Sequence, residues 1–179
     1  MAERRQRHTA EQAGDVINKK TTAIGYQVGG GSTTVDLKAT DLLPRAMGEA
    51  KVEAKQGSTT VEVKCKNLSS PTTFGAEFLT YVLWAVSPEG RAVNLGELQV
   101  KENGEAERKS STPMQMFSLI VTAEPYFAVR MPSELVLLEN EPRKNVRGKV
   151  FIVENYSLMK KAQYQKKSNP MKFTVRQIA

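Results

Sequence analysis

The side chains that usually carry acid–base and nucleophilic chemistry are scarce here, with one histidine, His8, and one cysteine, Cys65, in 179 residues. His8 lies in a polar N-terminal segment, so a Ser-His-Asp or Cys-His centre would have to recruit it from outside the body of the chain. The zinc patterns HExxH and CxxC and the phosphate loop GxxxxGK(S/T) are absent. Gly29-Gly30-Gly31 neither follows a strong strand nor opens a helix, and reads as a hinge. Paired carboxylates are the one enzymatic route left, because glycoside hydrolysis needs only two Asp or Glu residues across a cleft. Glu49, Glu53 and Glu62 alternate with apolar residues and match Lys51, Lys55 and Lys64 as solvated strand faces. Glu124, at the end of an apolar run and before Pro125, is the exception: it is either one acid of a carbohydrate-active pair or a strand-end carboxylate that caps a turn. The expectation is a protein that is not an enzyme, with no catalytic, cofactor-binding or metal-ligating residue.

Recognition chemistry is better supplied. Glu124-Pro125-Tyr126-Phe127-Ala128-Val129-Arg130 sets two aromatics beside a guanidinium in an expected loop. Tyr126, Phe127 and Arg130 would form a recognition surface if exposed, or close one end of the core if folded down. Charge is unevenly spread: the net +7 divides into −4 over residues 9–142 and +9 over residues 143–179, with the remaining +2 on residues 1–8. The tail holds Lys160, Lys161, Lys166 and Lys167, with Lys172 and Arg176 beyond them. A basic tail on a mildly acidic body suits an anionic partner such as a lipid headgroup, a wall polymer or a nucleic acid, or serves as a solvated run. Nucleic acid is the poorest of these fits, because no ordered aromatic signature accompanies the lysines.

These residues need a frame, and the frame reads as strands. Phe78 to Val86 contains one polar side chain, Thr80, and suits a strand buried on both faces with Trp84 as a core anchor. Val35 and Leu37, then Ala50, Val52 and Ala54, then Val61, Val63 and Cys65 alternate with polar residues, so each strand has one dry face. Cys65 therefore reads as packing rather than as a reactive thiol. Turns are expected at Gln56-Gly57-Ser58, Pro88-Glu89-Gly90 and Asn103-Gly104, with a polar edge strand over Glu105 to Lys109. Gln115 to Ala123 and Glu134 to Glu139 complete about eight short strands between residues 33 and 139. The expected fold is all-β, an antiparallel immunoglobulin-like β-sandwich of about 7–9 strands. Three segments are expected: a flexible N-terminal tether over 1–31, in which Ile24 to Val28 forms a short edge strand; the sandwich over 32–142; and a basic extension over 143–179. That extension holds a strand at Val150 to Val153, a short helix over Ser157 to Lys167 and an alternating run over Met171 to Ile178. No apolar run reaches the length of a membrane helix, and the arginines near Met1 are not followed by the apolar core of a signal peptide.

The order NLSSPTTFGAEFLTYVLWAVSPEGRAVNLGEL, a hairpin, then FSLIVTAEPYFAVRMPSELVLLEN resembles two groups of bacterial envelope proteins. With the extracytoplasmic domain of anti-sigma-K factors the chain shares an Asn-Leu turn, the strand residues Tyr81, Leu83 and Trp84, Leu95-Gly96, and Glu124-Pro125 followed by Pro132. The wording is more similar to the N-terminal β-rich region of some OmpA-family envelope proteins, over residues 21–167. The resemblance implies an extracytoplasmic module, periplasmic or on the cell surface, with no catalytic residues to carry over. An envelope protein or an anionic surface polymer is the expected partner. Self-association by strand addition through Ile24 to Val28 and Met171 to Ile178 is the expected alternative.

Overall fold

A computed structural model describes residues 15–144, 146 and 148–161. His8, Lys166, Lys167 and the run Met171 to Ile178 lie outside the described residues. The alternation of apolar and polar side chains sets the strands and the faces they bury. In β2 (Ser32–Ala39), β3 (Met47–Lys55) and β4 (Ser58–Lys66) the apolar set from Val35 to Cys65 is buried, while the polar set faces out in cross-strand pairs such as Lys51 with Glu62 and Glu49 with Lys64. Gln56-Gly57 makes the tight turn expected between β3 and β4. β5 (Thr80–Val86), β6 (Ala92–Leu98), β7 (Ala106–Thr112), β8 (Met116–Glu124) and β9 (Val136–Glu141) come next along the chain, so eight strands fill the stretch where about eight were expected.

Every ladder between named strands is antiparallel. Neighbouring strands run in the order β7-β4-β3-β2-β9-β8-β5-β6. The circuit is nearly closed, because β6 returns alongside β7. No ladder joins those two; instead the Ser110 hydroxyl of β7 donates to the Leu95 carbonyl of β6. The ten strands among the described residues thus belong to one continuous sheet in a barrel-like arrangement, where an immunoglobulin-like sandwich would pack two separate sheets face to face. The all-β antiparallel expectation holds at that coarser level. β7 has the edge-like character expected of it, since among the described residues its only ladder is with β4.

β1 (Val16–Tyr26) and β10 (Gly148–Met159) correct the expected segmentation. Residues 16–26, expected in a tether, form an eleven-residue strand, and 148–159, expected in an extension, pair with it along its length. Gly29-Gly30-Gly31 is a turn between β1 and β2 rather than a hinge, with the Gly29 amide donating to the Ala54 carbonyl. Ser157, expected to cap a helix, sits inside β10, which runs to Met159; residues 162–167 lie outside the described residues. Ile24 and Gly25 pair with β10 on one side and β8 on the other, so they offer no free edge for strand addition. Among the described residues no helix is long and apolar enough to cross a membrane.

The β1–β10 ribbon explains why β5 is buried throughout. Tyr81, Leu83 and Ala85 point into the barrel interior with Val35, Val63, Leu119 and Leu137. Val82, Trp84 and Val86 point the opposite way, into a second core closed by Ala23 of β1 and Val153, Tyr156 and Leu158 of β10. One strand thus serves two cores, and all seven of its residues are buried.

A buried polar junction fixes where the ribbon leaves the barrel. Asn140 Oδ1 accepts from the Leu119 amide at 2.7 Å and from Ser118 Oγ, and its Nδ2 donates to the Thr22 carbonyl at 3.0 Å. Thr21 Oγ1 adds a hydrogen bond of 2.6 Å to Ser118 Oγ. One side chain therefore joins β1, β8 and β9, and its loss strands several buried groups. Asn140→Ala is expected to lower stability by about 3 kcal/mol with an unchanged m-value in urea unfolding. A loss below about 1 kcal/mol would mean that the junction is not a structural lock.

Candidate recognition surface

The Tyr126–Arg130 loop is built onto the outer face of β6. The β5–β6 turn is closed by the Ser87 amide donating to the Arg91 carbonyl, and the Arg91 amide returns a bond to Ser87 Oγ at 3.1 Å. That places Arg91 at the start of β6. The ladder then slips: Trp84 pairs with Asn94 and Leu83 with Gly96, so Leu95 is the extra residue of a bulge. Gly96 takes φ +113°, a region that side chains resist. Its missing Cβ also matters, because a methyl there would come within 2.3 Å of the Arg108 guanidinium, which crosses from β7 over the glycine.

Asn94 holds this geometry. Its Oδ1 accepts from the Gly96 amide at 2.8 Å, and its Nδ2 donates to the carbonyls of Phe127 and Val129, each at 2.8 Å. Val129 is buried in the second core, while Tyr126 and Phe127, on the same short loop, are 56 % and 61 % exposed. The aromatic pair faces solvent instead of closing the core. Phe127 and Arg130 line one open groove of about 590 Å³ together with Arg91, Asn94, Gly96 and Arg108. Arg108 Nε donates to Ser110 Oγ at 3.1 Å. Among the described residues no carboxylate forms an ion pair with Arg91, Arg108 or Arg130.

The sequence brings Tyr126, Phe127 and Arg130 into view as one segment, but not Arg91, Asn94 or Arg108. The one signal for them was Gly96 inside a strand, which marks a bulge or a close approach. Lys160 and Lys161 are elsewhere. Their backbone amides bond to the Asp15 carbonyl and to Glu134 Oε1, and the Lys161 ammonium is 6.0 Å from the Phe78 ring centroid. They are separate from the arginine groove.

A second groove of about 690 Å³ lies between β2, β3, β4 and β9, where Lys38, Lys64 and Lys66 mix with Asp36, Glu49 and Glu141. Arg143 bridges Asp36 at 2.8 Å and Glu49 at 3.3 Å, so its charges are largely matched internally.

Glu124 is fully buried, and its carboxylate accepts from the Thr122 hydroxyl and from the Ser133 amide at 2.8 Å. Trp84 Nε1 donates to the same Thr122 hydroxyl at 2.8 Å. The carboxylate is therefore a link in the second core's polar chain, and it lines neither groove. Cys65 is buried and desolvation pushes its thiol up to about 12, which suits packing and not reactivity. Among the described residues no cluster of three His, Cys, Asp or Glu could hold a metal ion. No protein-family model and no curated protein matches the chain.

Proposed function

We propose that this chain is a non-catalytic binding module of the bacterial cell envelope, engaging an envelope protein or an anionic surface polymer through the Tyr126–Phe127–Arg130 loop. The observation that carries this reading is the exposure of two large aromatics on a backbone held from behind by Asn94 and by buried Val129. Rigid aromatics lose little conformational entropy on binding, and an adjacent guanidinium supplies directed hydrogen bonds. Glu124, the one acid singled out for catalysis, is engaged inside the second core, which leaves the hydrolase alternative without its first carboxylate. The envelope setting rests on the likeness of the Asn67–Asn140 stretch to envelope modules and on the basic +9 tail, suited to an anionic surface.

Co-sedimentation with washed bacterial envelope fragments tests it. The intact chain is expected to bind saturably, and a Tyr126→Ser, Phe127→Ser double variant with an unchanged melting temperature is expected to bind at least about tenfold more weakly. Equal binding by both proteins would remove the loop from the function.

A further inference from the structure

We propose that the groove beside Phe127 is a subsite for a negatively charged sugar residue of a surface glycan, with Arg91, Arg108 and Arg130 holding its carboxylate or phosphate and Phe127 stacking on the sugar ring. This rests on the binding-module reading and names its ligand class. Three arginines line one groove of about 590 Å³, and no carboxylate among the described residues pairs with them. Arginine's planar fork matches carboxylate and phosphate oxygens, so converging forks favour one compact anion over a diffuse field. Phe127, 61 % exposed on the same wall, adds a flat apolar face beside the charge. An anion attached to a ring with an apolar face is the chemistry of a uronic acid or a sugar phosphate.

Two competing ligands fit less well. An acidic peptide adding as a strand would need the backbone groups on the free side of β6, yet at the groove the Gly96 amide is taken by Asn94 Oδ1 and the Leu95 carbonyl by Ser110 Oγ. A single-stranded nucleic acid needs a basic track with successive stacking platforms, whereas the arginines here meet at one groove with one aromatic in its wall. The open, shallow shape also suits a residue within a polymer, entering and leaving along the surface.

The test is calorimetric titration of the full chain, at near-physiological salt, with four probes: a uronic acid oligomer, a sugar-phosphate oligomer, a neutral oligosaccharide of the same length, and hexaglutamate. One or both charged sugar probes are expected to bind at least about tenfold more tightly than the neutral sugar and hexaglutamate, and whichever binds identifies the anion. Arg108→Gln is expected to weaken that binding about tenfold or more, and Phe127→Ala to weaken the sugar probes about fivefold. Because Arg108 packs over Gly96, the pair Arg91→Gln and Arg130→Gln provides a second variant whose folding does not depend on that contact. Hexaglutamate binding as tightly as the charged sugars would overturn the glycan assignment. So would failure of both charged sugars while envelope binding still depends on Tyr126 and Phe127, and that second result would leave the binding-module reading intact.

Discussion

Replacing Trp84 with alanine is expected to lower folding stability by about 4 kcal/mol, near the top of the range for truncating a buried aromatic. Two losses combine. The indole is the largest side chain of the second core, fully buried between β5 and the β1–β10 ribbon, and close packing leaves a cavity when it is removed. Its Nε1 also donates to Thr122 Oγ1, which in turn donates to Glu124, so truncation removes the first link of a buried polar chain. Trp84→Phe separates the two losses: it keeps most of the apolar contact but drops the donor, and is expected to cost about 1 to 2 kcal/mol. Denaturant unfolding followed by circular dichroism measures both variants without relying on the only tryptophan. A loss below about 1.5 kcal/mol for the alanine variant would mean that the ribbon does not seal a second core over β5.

That second core also marks the limit of what the sequence could convey. The Phe78 to Val86 run announces a strand dry on both faces, and the structure bears this out over Thr80–Val86, while Leu79 lies before the strand and is exposed. What covers the second face was not legible. β1 reads Val-Ile-Asn-Lys-Lys-Thr-Thr-Ala-Ile-Gly-Tyr, polar from Asn18 to Thr22, where Lys19 and Lys20 reach Glu139 and Glu154. Ile24 and Tyr26 turn into the barrel, while Ala23 becomes part of the second core only with β10, more than a hundred residues later. Alternation reports the dryness of a face but not the partner that dries it. The arginine groove was hidden for the same reason. Arg91 follows a turn, Arg108 is one charge among several in a polar edge strand, and Arg130 closes a loop; the bulge at Leu95 and the bare Cα of Gly96 bring them together. Phe127 was ambiguous because two outcomes share one composition, and Asn94, whose side chain holds the loop outward, carries no local mark of that role.

Raising the pH is expected to unfold the protein cooperatively between about pH 10 and 12, a consequence of four acids that the fold keeps neutral. Burial raises the thiol of Cys65 and the phenols of Tyr26, Tyr81 and Tyr156 above their ordinary values, and the nearby Glu139 charge pushes Tyr156 further the same way. Tyr81 donates its hydroxyl proton to the Ser69 carbonyl at 2.7 Å, whereas the hydroxyls of Tyr26 and Tyr156 have no partner among the described residues and gain nothing from ionising in place. The sign follows from proton counts. Below about pH 7.5 both folded and unfolded chains hold nearly all four protons, so stability is flat with respect to these groups. Above that the unfolded chain releases the cysteine proton and then, above about pH 10, the three tyrosine protons, while the folded chain retains them. Each retained proton tilts stability down by about 1.4 kcal/mol per pH unit, and all four together by roughly 5 kcal/mol per pH unit, enough to exhaust the roughly 5 to 15 kcal/mol typical of a folded domain within a few pH units. Tyrosinate absorbance from the buried phenols should therefore rise in step with the loss of β-sheet circular dichroism, not ahead of it. Tyr26→Phe removes one titrating group and an unpartnered hydroxyl together, and is expected to move the alkaline midpoint upward while leaving stability at pH 7 unchanged or slightly improved. In a Tyr126→Phe, Tyr164→Phe background, which leaves only the three buried phenols, tyrosinate appearing gradually with the sheet signal intact would show that water reaches them in the folded state and that the two cores are not dry.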